Sequence, residues 1–138
     1  GDLEVDCHHT IEDCGIALGE AIKQALGDKA GIVRFGSSLL PMDESLIRCV
    51  IDLSGRPYLV FNEEFNNDRV GDFDTEMVKE FFYAVSYSSM MTLHIDELHG
   101  ENSHHVIEAT FKAFGRALKE AVSKDAKIKG VLSTKGSL

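Results

Sequence analysis

Ile11, Gly15, Leu18, Ile22 and Leu26 recur at helical spacing, so a helix is expected from about His8 to Leu26, closed by Gly27 and the Asp-Lys after it. Ahead of it, residues 1–7 alternate as a strand does, Leu3 and Val5 against Asp2, Glu4 and Asp6. The middle of the chain is rich in strand patterns. Ile32-Val33-Arg34-Phe35 is apolar and β-branched, and Leu46 to Leu53 sets Ile47, Cys49, Ile51 and Leu53 against Arg48 and Asp52. Tyr58 to Asn62 is a further strand. Ser54-Gly55-Arg56-Pro57 reads as the turn between these last two, which makes antiparallel pairing the economical arrangement.

Phe65 to Phe73 is polar and irregular. Asp74 or Thr75 then caps a second helix with a stripe of Met77, Val78, Phe81, Phe82 and Val85. Thr92 to Leu98 is a strand and His99-Gly100-Glu101-Asn102 a loop. A third helix follows, its stripe made by Ile107, Phe111, Phe114, Leu118, Ala121 and Val122. Lys124 to Leu138 is basic and rich in small residues, a composition that reads as an unstructured terminus. Strands in the middle and three single-striped helices predict an α+β fold, an antiparallel sheet with helices packed on one face.

The first and third helices are copies of one another. His8-His9-Thr10-Ile11-Glu12 and His104-His105-Val106-Ile107-Glu108 stand 96 residues apart. Ala17/Ala113, Gly19/Gly115, Ala21/Ala117, Lys23/Lys119 and Ala25/Ala121 also agree, nine identities over the nineteen positions from His8 to Leu26. The repeat divides a single domain into 1–27, the end of one half, 28–123, the second half, and a tail at 124–138.

Within a helix, residues i and i+4 stack while i and i+1 diverge by about 100°. His104 and Glu108 therefore aim at one point and His105 points away from it. Two adjacent histidines hardly chelate one ion, but they can serve two, with the glutamate between. Imidazole and carboxylate together suit divalent Mn, Fe, Co, Ni or Zn. The wheel gathers His104, His105, Glu108 and Lys112 on the flank of the apolar stripe. A single such motif is often capping or surface chemistry; its duplication at matching helical positions favours metal.

A chain of 138 residues has room for one domain, and 43% hydrophobic with 27% charged residues is ordinary globular composition. The formal net charge of −9 argues against nucleic acid or an anionic membrane as partner. It suits divalent cations, and a phosphorylated substrate would need a local basic pocket. Cys7, Cys14 and Cys49 lack paired spacing and read as reduced thiols of a cytoplasmic protein. Cys7 abuts His8 and is either a ligand or a small strand residue.

Several stretches in order resemble imidazoleglycerol-phosphate dehydratase of histidine biosynthesis. They are Asp6-Cys7-His8-His9-Thr10-Ile11-Glu12-Asp13, Pro41-Met42-Asp43-Glu44, Asp52-Leu53-Ser54-Gly55-Arg56-Pro57, Thr92-Leu93-His94, Asn102-Ser103-His104-His105, Phe111-Lys112-Ala113-Phe114 and Ser133-Thr134-Lys135-Gly136. The resemblance implies two similar α/β halves of the ribosomal-protein-S5-domain-2-like type, the first incomplete here. It also implies a homo-oligomeric 24-subunit shell, two Mn²⁺ per active site, and sites shared between subunits. The reaction it implies is loss of water from imidazole glycerol phosphate to give imidazole acetol phosphate.

Carried over residue by residue, His8, His9, Glu12, His104, His105 and Glu108 are the metal ligands. Glu12, His105 and Glu108 are the catalytic candidates. Glu80 stands where many family members have a ligating histidine; the wheel alone sets it on the solvated face. The resemblance assigns phosphate binding to Arg34, Arg56, Lys112, Ser133 and Lys135. The family's chain starts well before Gly1, and its earlier Leu-Asp-His-Met motif and proton-transferring glutamate are not among these residues. The alternatives are a non-catalytic metal-binding assembly fragment and an unrelated two-metal hydrolase.

Overall fold

The structure, a computed structural model, describes residue 4 and residues 7–138; most of the strand expected at 1–7 lies outside the described residues. Cys7 lies in a helical conformation at the head of the first helix, its carbonyl accepting from Ile11 N, so it is not a strand residue. The described residues form nine elements: α1 (His8–Leu26), β1 (Phe35–Met42), β2 (Ser45–Asp52), β3 (Tyr58–Asn62), β4 (Arg69–Val70), β5 (Phe73–Asp74), α2 (Glu76–Ser89), β6 (Thr92–His99) and α3 (Ser103–Ala121). No helix among the described residues is long and apolar enough to cross a membrane.

The main sheet has the order β1-β2-β6-β3, with β4 and β5 forming a small separate hairpin. β1, β2 and β6 pair antiparallel, but β3 pairs with β6 in parallel, Tyr58 beside Thr92 and Asn62 beside Asp96. The sheet is therefore mixed, which corrects the all-antiparallel expectation. The reason is the helix between them: α2 is the crossover that two parallel neighbours require. Ser54–Pro57 carries the chain past β6 instead of folding β3 back onto β2.

The strand expected at 32–35 is also displaced. Ile32 makes an isolated bridge to Lys124, and Arg34 has φ of 74°, a left-handed conformation that ends any extended run. The strand begins one residue later and takes in Gly36, Ser37, Ser38 and Pro41, which weak propensity had hidden. Being an edge strand, β1 tolerates its proline.

Ile47, Cys49, Ile51, Leu93 and Ile95 are buried under the helices. α3 covers β1 and β2 with a row of small residues, Ala109, Ala113, Ala117 and Ala121 together with Val106 and Thr110. A Cβ on Gly36 would stand only 1.9 Å from Ala117 O, so no side chain fits at that point of β1 beneath the helix. Of the expected apolar stripe Phe114 and Ala121 are buried, whereas Phe111 turns sideways: it is 39% exposed and packs its ring against Phe81 and Phe82 of α2. On α1 the buried residues are Gly15 and Gly19, while Leu18 is 40% exposed.

The tail is structured too. Gly31 N donates to Gly130 O, Asp125 N to Gly31 O and Arg34 Nη1 to Leu132 O, which dock residues 124–132 against the segment before β1.

Candidate functional site

Gly15 faces Phe81 and Ala84, and Gly19 faces Val85 and Ser88, so α1 and α2 run parallel. Carried back one turn, the same register sets Glu12 at the height of Glu80, which is half-buried rather than fully solvated. Ile22 and Leu26 share a cleft with Leu118 and Val122, so α3 points the same way as α1. Both histidine motifs consequently stand at one end of the helical layer. Their rings diverge alike, with centroids 6.0 Å apart for His8 and His9 and 6.1 Å for His104 and His105.

At the start of α3, Asn102 Oδ1 accepts from the His104 and His105 backbone N–H groups, a side-chain N-cap. His104 Nε2 lies 3.3 Å from Glu108 Oε2, the i,i+4 pair the wheel anticipates, and Lys112 Nζ lies 2.6 Å from Glu108 Oε1. That hydrogen bond to Lys112 holds the Glu108 carboxyl below its usual range.

His105 turns instead to the β1–β2 hairpin. Its Nδ1 is 2.8 Å from Glu44 Oε2 and its Nε2 is 3.7 Å from Asp43 Oδ2. Glu44 Oε1 also accepts from Asn102 N at 2.8 Å and Glu101 N at 3.3 Å. The bond to His105 and then the backbone donors bring the Glu44 carboxyl down to about 2, and the same bond raises His105. Glu44, Asn102, His104, His105 and Arg69 of the small hairpin line one surface cavity of about 690 Å³. The sequence reading missed Glu44 as the partner of His105, although it lay inside a quoted motif. The signal for Asn102 was there: an Asn directly ahead of a helix start.

A second cavity, about 910 Å³, holds Arg34, Arg56, Ser133 and Lys135 together, with Lys127 and Lys129 at its wall. Four of the five expected phosphate-binding residues thus meet. Lys112, bound to Glu108 and with Met42 Sδ at 3.8 Å, lies with the histidine cluster instead. Arg34 forks onto Asp52, Nε to Oδ1 at 2.7 Å and Nη2 to Oδ2 at 3.1 Å, and Arg56 approaches Asp52 at 3.8 Å.

The two clusters sit at opposite ends of the molecule. β1 runs for eight residues from beside Arg34 to beside Asp43, roughly 25–30 Å of extended chain. Among the described residues, no three His, Cys, Asp or Glu side chains are gathered closely enough to enclose an ion.

The family model for imidazoleglycerol-phosphate dehydratase matches residues 1–118. The proteins of that name from Acetivibrio thermocellus and Lachnoclostridium phytofermentans are 59% and 61% identical over 138 residues, all of this chain and 71% and 70% of theirs. The crystal structure of the Staphylococcus aureus protein superposes with a TM-score of 0.84 at 50% identity, over 86% of this chain and 69% of that one. The Pyrococcus furiosus structure gives 0.84 at 39% identity, over 95% and 71%. With its α+β fold, its doubled histidine helix and matches of this extent, the chain belongs to the imidazoleglycerol-phosphate dehydratase family.

Proposed function

We propose that the protein is a Mn²⁺-dependent carbon–oxygen lyase of histidine biosynthesis, removing water from imidazole glycerol phosphate to give imidazole acetol phosphate. The observation that carries this is the 59–61% identity, over every residue of the chain, to proteins named for that reaction. We extend it to a cytoplasmic homo-oligomer, the 24-subunit shell of the resemblance, with active sites between subunits.

The residues present suit the metal. Imidazoles and carboxylates are the donors Mn²⁺ accepts. Glu44 on His105 Nδ1 leaves Nε2 as the outward nitrogen, the carboxylate–histidine pairing that orients ligating imidazoles. His8, His9, Glu12, His104, His105 and Glu108 would hold two ions, with Glu80 joining from the height of Glu12. Because one chain offers these donors only in small groups, a neighbouring subunit would complete each set. Bound Mn²⁺ would supply Lewis acidity towards the substrate's imidazole.

The rest belongs to the chain's own side chains. The guanidinium of Arg56, the N–H groups that Arg34 does not give to Asp52, Ser133 and Lys135 would hold the phosphate at the basic cavity, fixing the substrate's far end. Lys112, beside Glu108, would reach the same phosphate from the subunit that supplies the histidines. Glu12, His105 and Glu108 would carry protons between the carbon acid and the departing hydroxyl.

The test is turnover of imidazole glycerol phosphate by purified, Mn²⁺-supplied protein, with intact mass recorded alongside. Glu108→Gln is expected to abolish both turnover and Mn²⁺ binding; a variant that still turns over would sink the site assignment. Mn²⁺-dependent oligomers without product would support the non-catalytic assembly reading instead.

A further inference from the structure

Glu63 follows β3 on the helix-facing side used by Leu59 and Phe61, and neither cluster above involves it. Its Oε1 lies 2.5 Å from Thr110 Oγ1 on α3. Thr110 Oγ1 also lies 2.8 Å from Val106 O, one turn back. A threonine hydroxyl has one hydrogen to give, and a backbone carbonyl can only accept. Were Glu63 a carboxylate, it too could only accept, and one hydrogen would have to serve two acceptors at once. The count closes when Thr110 donates to Val106 and Glu63 donates to Thr110. That assignment requires a carboxylic acid.

The other oxygen points the same way. Glu63 is half-buried, yet its Oε2 is shut off from solvent and has no hydrogen-bond partner among the described residues. An orphaned carboxylate oxygen carries charge with nothing to solvate it, whereas the carbonyl oxygen of a neutral acid is far cheaper to bury. The charges around it offer no relief. Glu97 faces it from β6, Asp96 stands next to Glu97 on that strand but pairs with Arg48 of β2, Glu64 adjoins it in the chain, the Cys49 thiol of β2 feels its charge, and Thr110 is its polar contact on α3. The charged groups that bear on Glu63 are carboxylates, and Arg48 is already spent on Asp96.

We infer that Glu63 is held as a neutral acid in the folded protein, and that its hydroxyl, donated to Thr110, is a positioning contact tying the first half of α3 to the sheet. Burial, reinforced by Glu97 and Asp96, pushes the Glu63 carboxyl up to about 8, even with the Thr110 hydroxyl counted against the rise. In the unfolded chain the same group titrates near an ordinary glutamate value of about 4.3. The folded form therefore keeps a proton the unfolded form has lost. The stabilisation is complete below the unfolded value, declines as pH rises through the window, and is gone above about 8.

Infrared spectroscopy of the whole protein tests this directly. At pH 7 ordinary acids are ionised, so a surviving carboxylic-acid carbonyl absorption that fades as pH passes about 8 is expected from Glu63. The absorption should be missing in Glu63→Gln and displaced in Thr110→Val, which removes the acceptor. In denaturant unfolding, the unfolding constant of wild type relative to Glu63→Gln should grow about tenfold per pH unit between 5 and 8 and then level off. Parallel stability profiles, or a wild-type spectrum at pH 7 with no carboxylic-acid absorption, would overturn the inference. Should Glu63→Gln fail to fold, the wild-type infrared titration decides alone.

Discussion

Arg34 holds a left-handed backbone while forking Nε and Nη2 onto Asp52 and giving an Nη1 hydrogen to Leu132 O, where the tail comes down. Only a planar fork satisfies these partners together. Arg34→Lys is therefore expected to leave the fold standing but to weaken phosphate capture, raising KM at least tenfold in turnover assays with little change in Mn²⁺ binding. The loss corresponds to about 1.5–3 kcal/mol for a charged hydrogen bond. Asn102 acts on the other cluster. Asn102→Ala removes the cap from α3 and should lower stability by about 1 kcal/mol in denaturant unfolding. His104 and Glu108 were recoverable from helical geometry alone, because i,i+4 stacking is local. Glu44 with His105, and Asp52 with Arg34, were not: each pair is separated by many residues along the chain, and only the strand register brings it together.

The repeat shows where sequence likeness stops predicting environment. Gly19 and Gly115 are equivalent positions of the two copies, yet a Cβ on Gly19 would meet Val85 O at 2.8 Å, and one on Gly115 would meet nothing within 4 Å. Alanine at either site gains helix propensity worth about 1 kcal/mol. On α1 the clash with α2 backbone should outweigh that gain, since overpacking costs about 1–3 kcal/mol. Gly15→Ala and Gly19→Ala are thus expected to lower the unfolding midpoint, and Gly115→Ala to raise it. Helices were readable because their apolar period is long and regular. The inward face of α2 came out as expected, with Met77, Val78, Phe82 and Val85 buried. On α3 only part of the expected stripe, Phe114 and Ala121, is buried, because the space over β1 and β2 is sized largely for alanine. β1 was misplaced for the converse reason: an edge strand needs no apolar alternation, so Gly-Ser-Ser-Leu-Leu-Pro gave little sign of it. The parallel pairing of β3 with β6 depends on α2 crossing between them, a fact no local turn signal contains.

Taken as one body, the chain has its histidine pairs at one end of its helices and the basic cavity of Arg34, Arg56 and Lys135 at the other. If each active site unites the two, mixtures of inactive variants should recover activity. Arg56→Ala and Glu108→Gln, co-assembled from dissociated subunits, are expected to regain up to about one quarter of the wild-type rate, since that fraction of random pairings joins two intact halves. Either variant reassembled alone should stay inactive. No recovery in verified hybrids would mean that both halves are drawn from a single chain.

The two-ended character of the subunit has a consequence for arithmetic. If active sites form between neighbours, an open row of such chains would end in an unused basic cavity at one tip and unused histidines at the other, and would have one site fewer than it has members. Closing the row on itself removes both tips. Catalytic economy would then select for closed assemblies over filaments, and each molecule would depend on its neighbour for its own chemistry.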